Sequence, residues 1–423
     1  MAKLVVVLAA ICCILSATTA PALLPPEFAP RGGLPRLAAK LSAPASSPAT
    51  DIRVAFLGGS ITASKGWRVG ILAHLRQTYP RHHFTEIFAA LPGTGSDFGA
   101  ARLRDDVLRH TPDLLFVEFA VNDTGRDPAA IRRSMEGIVR QTRLHSPATD
   151  LCFVYTLSHS GLPDLEAERF PPPAAAMEDV AAHYGIPTHH FGVEIVRQLH
   201  AGALVFTGTA PSPDIPVFAP DKVHPGSVGH RLYTESLARQ LPSFLAARPS
   251  ASTTPLPSPL DPANWENARL ASIADLAGPH ASAWTRVPAD DLHLSAIPNE
   301  LRHDTFVAQQ PGTVLEFTFI GTAFGFYGIK GPDAGRFRVT IDDLPPVDGA
   351  FFDSFCVARR YRAMSWLFPK PLADARHHVR VELLDTGPDK TAVRARSPED
   401  DPAFDLHALT LSGVILVGSV PPP

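Results

Sequence analysis

The stretch Val54–Arg68, "VAFLGGSITASKGWR", decides how the rest of the chain is read. An apolar run ends in two glycines and a serine, and the chain then turns into a segment with helical spacing. A serine at that point is either a helix cap or a nucleophile held out at the end of a strand. Glycines before it let the backbone turn abruptly and leave the hydroxyl open to approach. A following helix N-terminus offers free N–H groups that favour developing negative charge.

From Asp51 to about Arg248 the pattern set by this stretch repeats. "IRVAFLG", "TEIFAA", "DLLFVEFA" and "DLCFVYT" are short, nearly continuous apolar runs, as strands buried on both faces are. Between them, "GWRVGILAHLRQTY", "GAARLRDDVLRH" and "IRRSMEGIVRQTRLH" carry apolar residues three and four apart. Alternation of this kind predicts a doubly wound parallel sheet with helices on both faces. Ligands of such sheets bind at the carboxyl ends of the strands, and Ser60 is placed there.

Near the other end of this region stands "PDKVHPGSVGHRLYTESLARQL". Asp221 and His224 are three apart, so the carboxylate can reach the near ring nitrogen across a short turn and leave the far nitrogen for a serine. Pro225 suits the first turn of a helix. Val228, Leu232, Leu237, Leu241 and Leu245 fall roughly on one side of that helix and can anchor the turn by packing. His230 competes for the role of base, but it lies inside the helix and no acid precedes it at that spacing. "ALPGTGSDFG" follows the second strand and "FAVNDTG" the third. Gly93 can supply a backbone N–H and Asn122 a side-chain amide. With the N–H of Ser60 these make three donors for an oxyanion at one edge of the sheet. No G-x-S-x-G occurs, which counts against the nucleophile elbow of the α/β-hydrolases.

Taken together, these motifs resemble the SGNH (GDSL-type) hydrolase superfamily, over about 200 residues. The resemblance implies a flavodoxin-like sheet and a serine carboxylic-ester hydrolase. It assigns Ser60 as nucleophile, His224 as base and Asp221 as its orienter, with Ser60, Gly93 and Asn122 as the oxyanion hole. Two departures stand out: Gly59 occupies the place of the family's aspartate, and Ala120 that of a glycine. Block II holds both Gly93 and Gly95, and counting from the strand end favours Gly93. The superfamily admits O-acetyl esterases of polysaccharides, lipases, thioesterases and glycan acyltransferases. A secreted chain with an accessory domain tilts the expectation to an acetylated polysaccharide or oligosaccharide. The alternatives are a lipid or short-acyl esterase and a glycan-binding protein with an inactive hydrolase domain. No cofactor or metal is required.

The remaining sequence frames that region. The chain has 423 residues, 45% hydrophobic and 19% charged, with a formal charge of −4 and no basic block, which excludes a nucleic-acid partner. Residues 1–22 read as a signal peptide: Lys3, an apolar run too short for a comfortable membrane span, and small residues at Ala20–Ala22. They predict a secreted or periplasmic protein without stable membrane insertion. Residues 23–50, rich in Pro, Ala and Ser, read as a tether, and 249–264 as a Pro/Ser/Thr-rich linker. From 265 to 423, "TVLEFTFIGTAFGFYGI", "GRFRVTIDD", "HHVRVELLD" and "LTLSGVILVG" alternate apolar and polar residues. They predict an antiparallel β-sandwich or jelly roll, of the kind attached to carbohydrate-active enzymes.

Cys152 and Cys356 fall in different domains, so no disulfide framework is expected. The pairs His82-His83, His189-His190 and His377-His378 lack ligand spacing and read as solvated or packing residues. Trp67, with Phe98, Phe206 and Phe218, is the candidate stacking surface for substrate. Glu118 lies in an apolar strand, where a hydrogen bond beneath the site and an ordinary strand-end polar residue account for it equally.

Overall fold

A computed structural model of the protein describes residues 24–421, apart from 45, 47, 248–255, 278–282, 292–293, 295–296, 358–359 and 398–400. The signal-peptide segment and the first part of the linker lie outside the described residues.

Five parallel strands form the first sheet: β2 (Asp51–Gly58), β3 (His83–Ala90), β4 (Leu114–Glu118), β5 (Asp150–Tyr155) and β6 (Thr188–His190). Their order is β6-β5-β4-β2-β3. Counting the parallel strands from β2, this is the 2-1-3-4-5 arrangement of the flavodoxin-like fold, whose switch point falls between β2 and β4. Side chains alternate along β2. Ala55 and Leu57 enter one core, with α4 (Ser96–Asp106), α5 (Pro128–His145) and α7 (Pro172–Tyr184). Val54 and Phe56 enter the other, with α3 (Trp67–Thr78), α8 (Phe191–His200) and α9 (Ser227–Ala246). Both faces are therefore sealed, which is why the strands read as unbroken apolar runs.

Residues 23–50 are not a free tether. A two-residue strand, β1 (Phe28–Ala29), pairs antiparallel with β6 through Phe28↔His189 and Ala29↔Thr188. The helix α1 (Pro35–Leu41) follows, with Leu34 and Leu37 fully buried. Leu34 N–H donates to Phe244 O at 2.9 Å and Leu37 N–H to Asp150 Oδ2 at 2.9 Å. Two buried leucines and an edge pairing hold a segment whose composition reads as a spacer.

The predicted linker is corrected in the same way over its described half. Leu260 and Asp261 N–H groups donate to the buried Glu136 carboxylate at 2.6 and 3.0 Å. Arg140 donates to Pro257 O at 2.9 Å. Trp265 N–H donates to Arg133 O, and Gln141 Nε2 to Trp265 O. Gly137, mid-helix in α5, allows this approach: a Cβ there would lie 2.6 Å from the Trp265 backbone.

Among the described residues the second domain has nine strands, paired antiparallel: β7 (Ala268–Ala271), β8 (Thr285–Val287), β9 (Thr305–Ala308), β10 (Val314–Lys330), β11 (Arg336–Ile341), β12 (Val347–Ala350), β13 (Arg362–Leu367), β14 (Ala375–Leu383) and β15 (Leu409–Ser419). The 17-residue β10 serves two layers. Its first half pairs with β14, its second with β13, and its middle with β15 across a bulge at Gly321–Ala323. Such a bend lets one strand turn the corner of a sandwich. The enclosed core is aromatic, with Phe319, Phe324, Phe326, Phe337 and Phe351 buried. The domain also packs on the first. Phe98 of α4 meets Tyr327 of β10 with ring centroids 4.7 Å apart, and Ile415 and Val417 share a core with Leu57.

Among the described residues, no helix is long and apolar enough to cross a membrane. None of their His, Cys, Asp and Glu form a group of three or more that could hold a metal ion. Cys152 and Cys356 are separate buried thiols.

Candidate active site

Three strand ends meet at the switch point. Gly58, the last residue of β2, is in register with Ala90 of β3 on one side and Glu118 of β4 on the other. The loops that leave these strands carry Ser60, Gly93 and Asn122. Ser60 opens α2 (Ser60–Ala63), a helix of one turn.

Across from Ser60, Asp221 organises its own turn. Its Oδ1 accepts the N–H groups of Val223 and His224 at 3.0 and 2.7 Å. That leaves Oδ2 for the imidazole, 2.6 Å from His224 Nδ1. A carboxylate only accepts, so Nδ1 carries the hydrogen and Nε2 presents a lone pair. Ser60 Oγ lies 2.8 Å from that nitrogen. Burial pulls the Asp221 carboxyl upward, but the hydrogen bonds from the His224 ring and from the His224 and Val223 backbones outweigh it and hold the group at about 2. The acid is therefore ionised across the working range of any esterase. The pair is open to solvent: the side chains of His224 and Asp221 are 45% and 56% exposed.

The other two candidates, Asn122 and Gly93, lie on the loops that leave the neighbouring strands. Asn122 lies against the Gly59 backbone so closely that a Cβ at position 59 would be 1.9 Å from Asn122 Oδ1. The glycine at the family's aspartate position thus makes room for the amide. Gly93 has φ +76° and open space about its Cα, whereas a Cβ at Gly95 would strike Asp123 Oδ1 at 2.3 Å. Gly95 is packed inside and Gly93 faces outward.

Residues missed in the sequence hold these loops together. Asp123 is fully buried, and its Oδ1 accepts the Ser96 N–H at 3.1 Å, tying the Asn122 loop to the start of α4. Arg126 bridges Asp123 and Asp97. Burial pushes the Asp123 carboxyl up to about 6 against the pull of Arg126. Its position next to Asn122 was the available signal.

Several candidates fall elsewhere. Trp67 does not reach substrate: it is fully buried among Phe56, Phe116 and Phe191. Phe98, Phe206 and Phe218 are buried as well. A first-turn tryptophan on a helix that covers a sheet fills the core, because that is where its area is best spent. His230 is structural. Its Nδ1 accepts the Trp67 N–H at 3.3 Å, and burial, aided by the nearby His224, lowers it to about 4. His189 and His190 are buried, which lowers both to about 3; His189 Nε2 is 2.9 Å from Ser236 Oγ, and His190 Nδ1 accepts the Gly192 N–H.

Residues 56–232 match the GDSL-like Lipase/Acylhydrolase family. Over this region the chain is similar to GDSL-like hydrolases. Two solved structures are similar to the chain over both domains: a two-domain esterase active on acetylated mannans, and the same esterase co-crystallised with mannopentaose. The first is 20% identical, with a TM-score of 0.69, covering 94% of this chain and 98% of that one. The second is 19% identical, with a TM-score of 0.68, covering 93% and 97%. At that identity the likeness is one of fold, and it extends to the pairing of hydrolase and sandwich domains. No curated protein matches the chain.

Proposed function

We propose that this carboxylic-ester hydrolase removes acetyl groups from an acetylated polysaccharide or oligosaccharide, with Ser60, His224 and Asp221 as its triad. The observation that carries the reading is the unbroken chain Ser60 Oγ–His224 Nε2 at 2.8 Å and His224 Nδ1–Asp221 Oδ2 at 2.6 Å. Ser60 Oγ attacks the acetyl carbonyl while His224 Nε2 takes its proton. Asp221 fixes the ring and stabilises the imidazolium. The tetrahedral oxyanion is received by the N–H groups of Ser60 and Gly93 and by the Asn122 amide. The sugar hydroxyl leaves with the proton from His224. Water then attacks the acetyl-enzyme, again giving its proton to His224, and acetate is released.

The openness of the triad supports a bulky alcohol carrying a small acyl group. A side chain of the polymer can reach such a rim without the polymer entering a tunnel. The two-domain architecture shared with an esterase active on acetylated mannans points the same way. The reading includes export, on the strength of Lys3 and the apolar run that follows it.

Acetate release from a panel of acetylated glycans, with wild type beside Ser60→Ala, tests it. Release by the wild type and a loss on the order of 10⁶-fold in the variant are expected. Near-normal release by Ser60→Ala overturns the triad. Faster cleavage of long-acyl than acetyl p-nitrophenyl esters overturns the substrate and favours a lipid esterase.

A further inference from the structure

Glu118 ends β4 inside the protein, 1% exposed, directly beside the nucleophile turn. Two hydroxyl donors converge on its carboxylate: Thr62 Oγ1 donates to Oε2 at 2.7 Å and Thr156 Oγ1 to Oε1 at 2.6 Å. Both threonines are themselves buried.

Thr62 and Gly59 flank Ser60. The helix that holds Thr62, with Gly59 as its N-cap, has four residues, too few to be held by its own hydrogen bonds. Thr156 leads the other way. The next residue, Leu157, donates its N–H to Tyr233 Oη of α9 at 3.1 Å. Two residues further, His159 N–H donates to Lys222 O at 2.8 Å, inside the Asp221–His224 turn. Lys222 sits there with φ +71°, a conformation a lysine keeps only when its surroundings impose it. The contacts therefore run without a break from Ser60 through Glu118 and Thr156 to the turn that carries its base.

We infer that Glu118 is a positioning residue that sets the Ser60–His224 distance by bracing the nucleophile turn against the segment supporting the acid–base turn. The two oxygens of the carboxylate accept one threonine hydroxyl each. A glutamine can accept the Thr62 hydroxyl with its oxygen and turn its amide toward the Thr156 hydroxyl, which rotates to accept it. An alanine satisfies none. Burial raises the carboxyl of Glu118, and its hydrogen bonds from the two threonines oppose that rise.

The inference rests on Ser60 being the nucleophile, and the test separates the two. The rate of labelling by a fluorophosphonate reads the Ser60–His224 pair without glycan binding. It is measured with kcat and KM on an acetate ester and with thermal melting, for Glu118→Ala, Glu118→Gln, Thr62→Val, Thr156→Val and Ser60→Ala. In Glu118→Ala, labelling and kcat fall about 100-fold while KM stays within about 3-fold, since misplacement by an ångström costs on that scale. Glu118→Gln recovers about 10-fold of the loss, and each valine variant loses about 10-fold, a share of the same effect. A purely structural role lowers melting temperature and leaves labelling of the folded enzyme unchanged. Labelling within about 3-fold of wild type in Glu118→Gln and both valine variants, where circular dichroism shows them folded, overturns the brace whether or not Glu118→Ala folds. Persistent labelling of Ser60→Ala overturns the nucleophile instead.

Discussion

The turn that carries Ser60 and the turn that carries Asp221 and His224 meet at one hydrogen bond, yet they are held in opposite ways. The first is sunk into the sheet: Gly58 pairs with two neighbouring strands, and buried Glu118 and Thr62 lie beneath it. The second stands in solvent and is folded largely by its own aspartate, which caps two backbone N–H groups and orients a ring at once. The carboxylates show the same contrast. Solvated, hydrogen-bonded Asp221 is held at about 2, whereas buried Asp123 is pushed up to about 6. The difference teaches that the Ser60 turn is guarded by burial and the Asp221–His224 turn by local hydrogen bonds. One side is costly to deform and the other is cheap.

Four substitutions sharpen or break this comparison, in descending order of effect. Asp221→Asn keeps the Oδ1 cap but replaces the acceptor at Nδ1 by a donor, forcing the wrong tautomer. A drop in kcat of about 10⁴-fold with an unchanged fold is expected. A loss below tenfold would show that the exposed turn does not depend on its carboxylate. Asn122→Ala removes one oxyanion donor, and kcat on an acetate ester falls about 10²–10³-fold. Gly59→Ala drives a methyl into the Asn122 amide; kcat falls about tenfold or more, with KM little changed. Combining it with Asn122→Ala should add almost nothing, since the clash disappears with the amide; full additivity would break the pairing.

Asp123→Asn has the smallest effect on turnover and a distinct effect on stability. Its folded value, about 6, lies above the ordinary carboxylate range, so the folded state binds the extra proton. Its contribution to stability is complete below about pH 4 and is lost as pH rises through about 6. Denaturant titrations across that window should show this decline in the wild type and not in Asp123→Asn. An identical slope in both would place the decline elsewhere.

How much of this was legible follows from whether a feature is local. Asp221 and His224 are three residues apart, and Ser60 follows its glycines directly, so short motifs carry them. The parallel strands themselves were legible because both faces are buried and leave unbroken apolar runs. Trp67 was not, since an aromatic after a strand end looks alike whether it lines a site or fills a core; only its neighbours Phe56, Phe116 and Phe191 decide. The segment 23–50 was misread because its order comes from Phe28 pairing with His189, a contact 161 positions away that composition does not register. Leu260 and Asp261 are pinned by Glu136, 124 and 125 positions away in the chain. The strands of the second domain were readable from alternation, but not the double service of β10, which depends on where its bulge falls.

The shared core between the two domains has a consequence for anyone who would shorten or recombine this enzyme. Tyr327, Ile415 and Val417 close over the helices of the hydrolase half. Removing the sandwich would strip those helices of their cover and leave a sticky surface on the half that performs the chemistry. The two halves are one unit of inheritance: a graft, a truncation or a domain exchange has to carry its interface along.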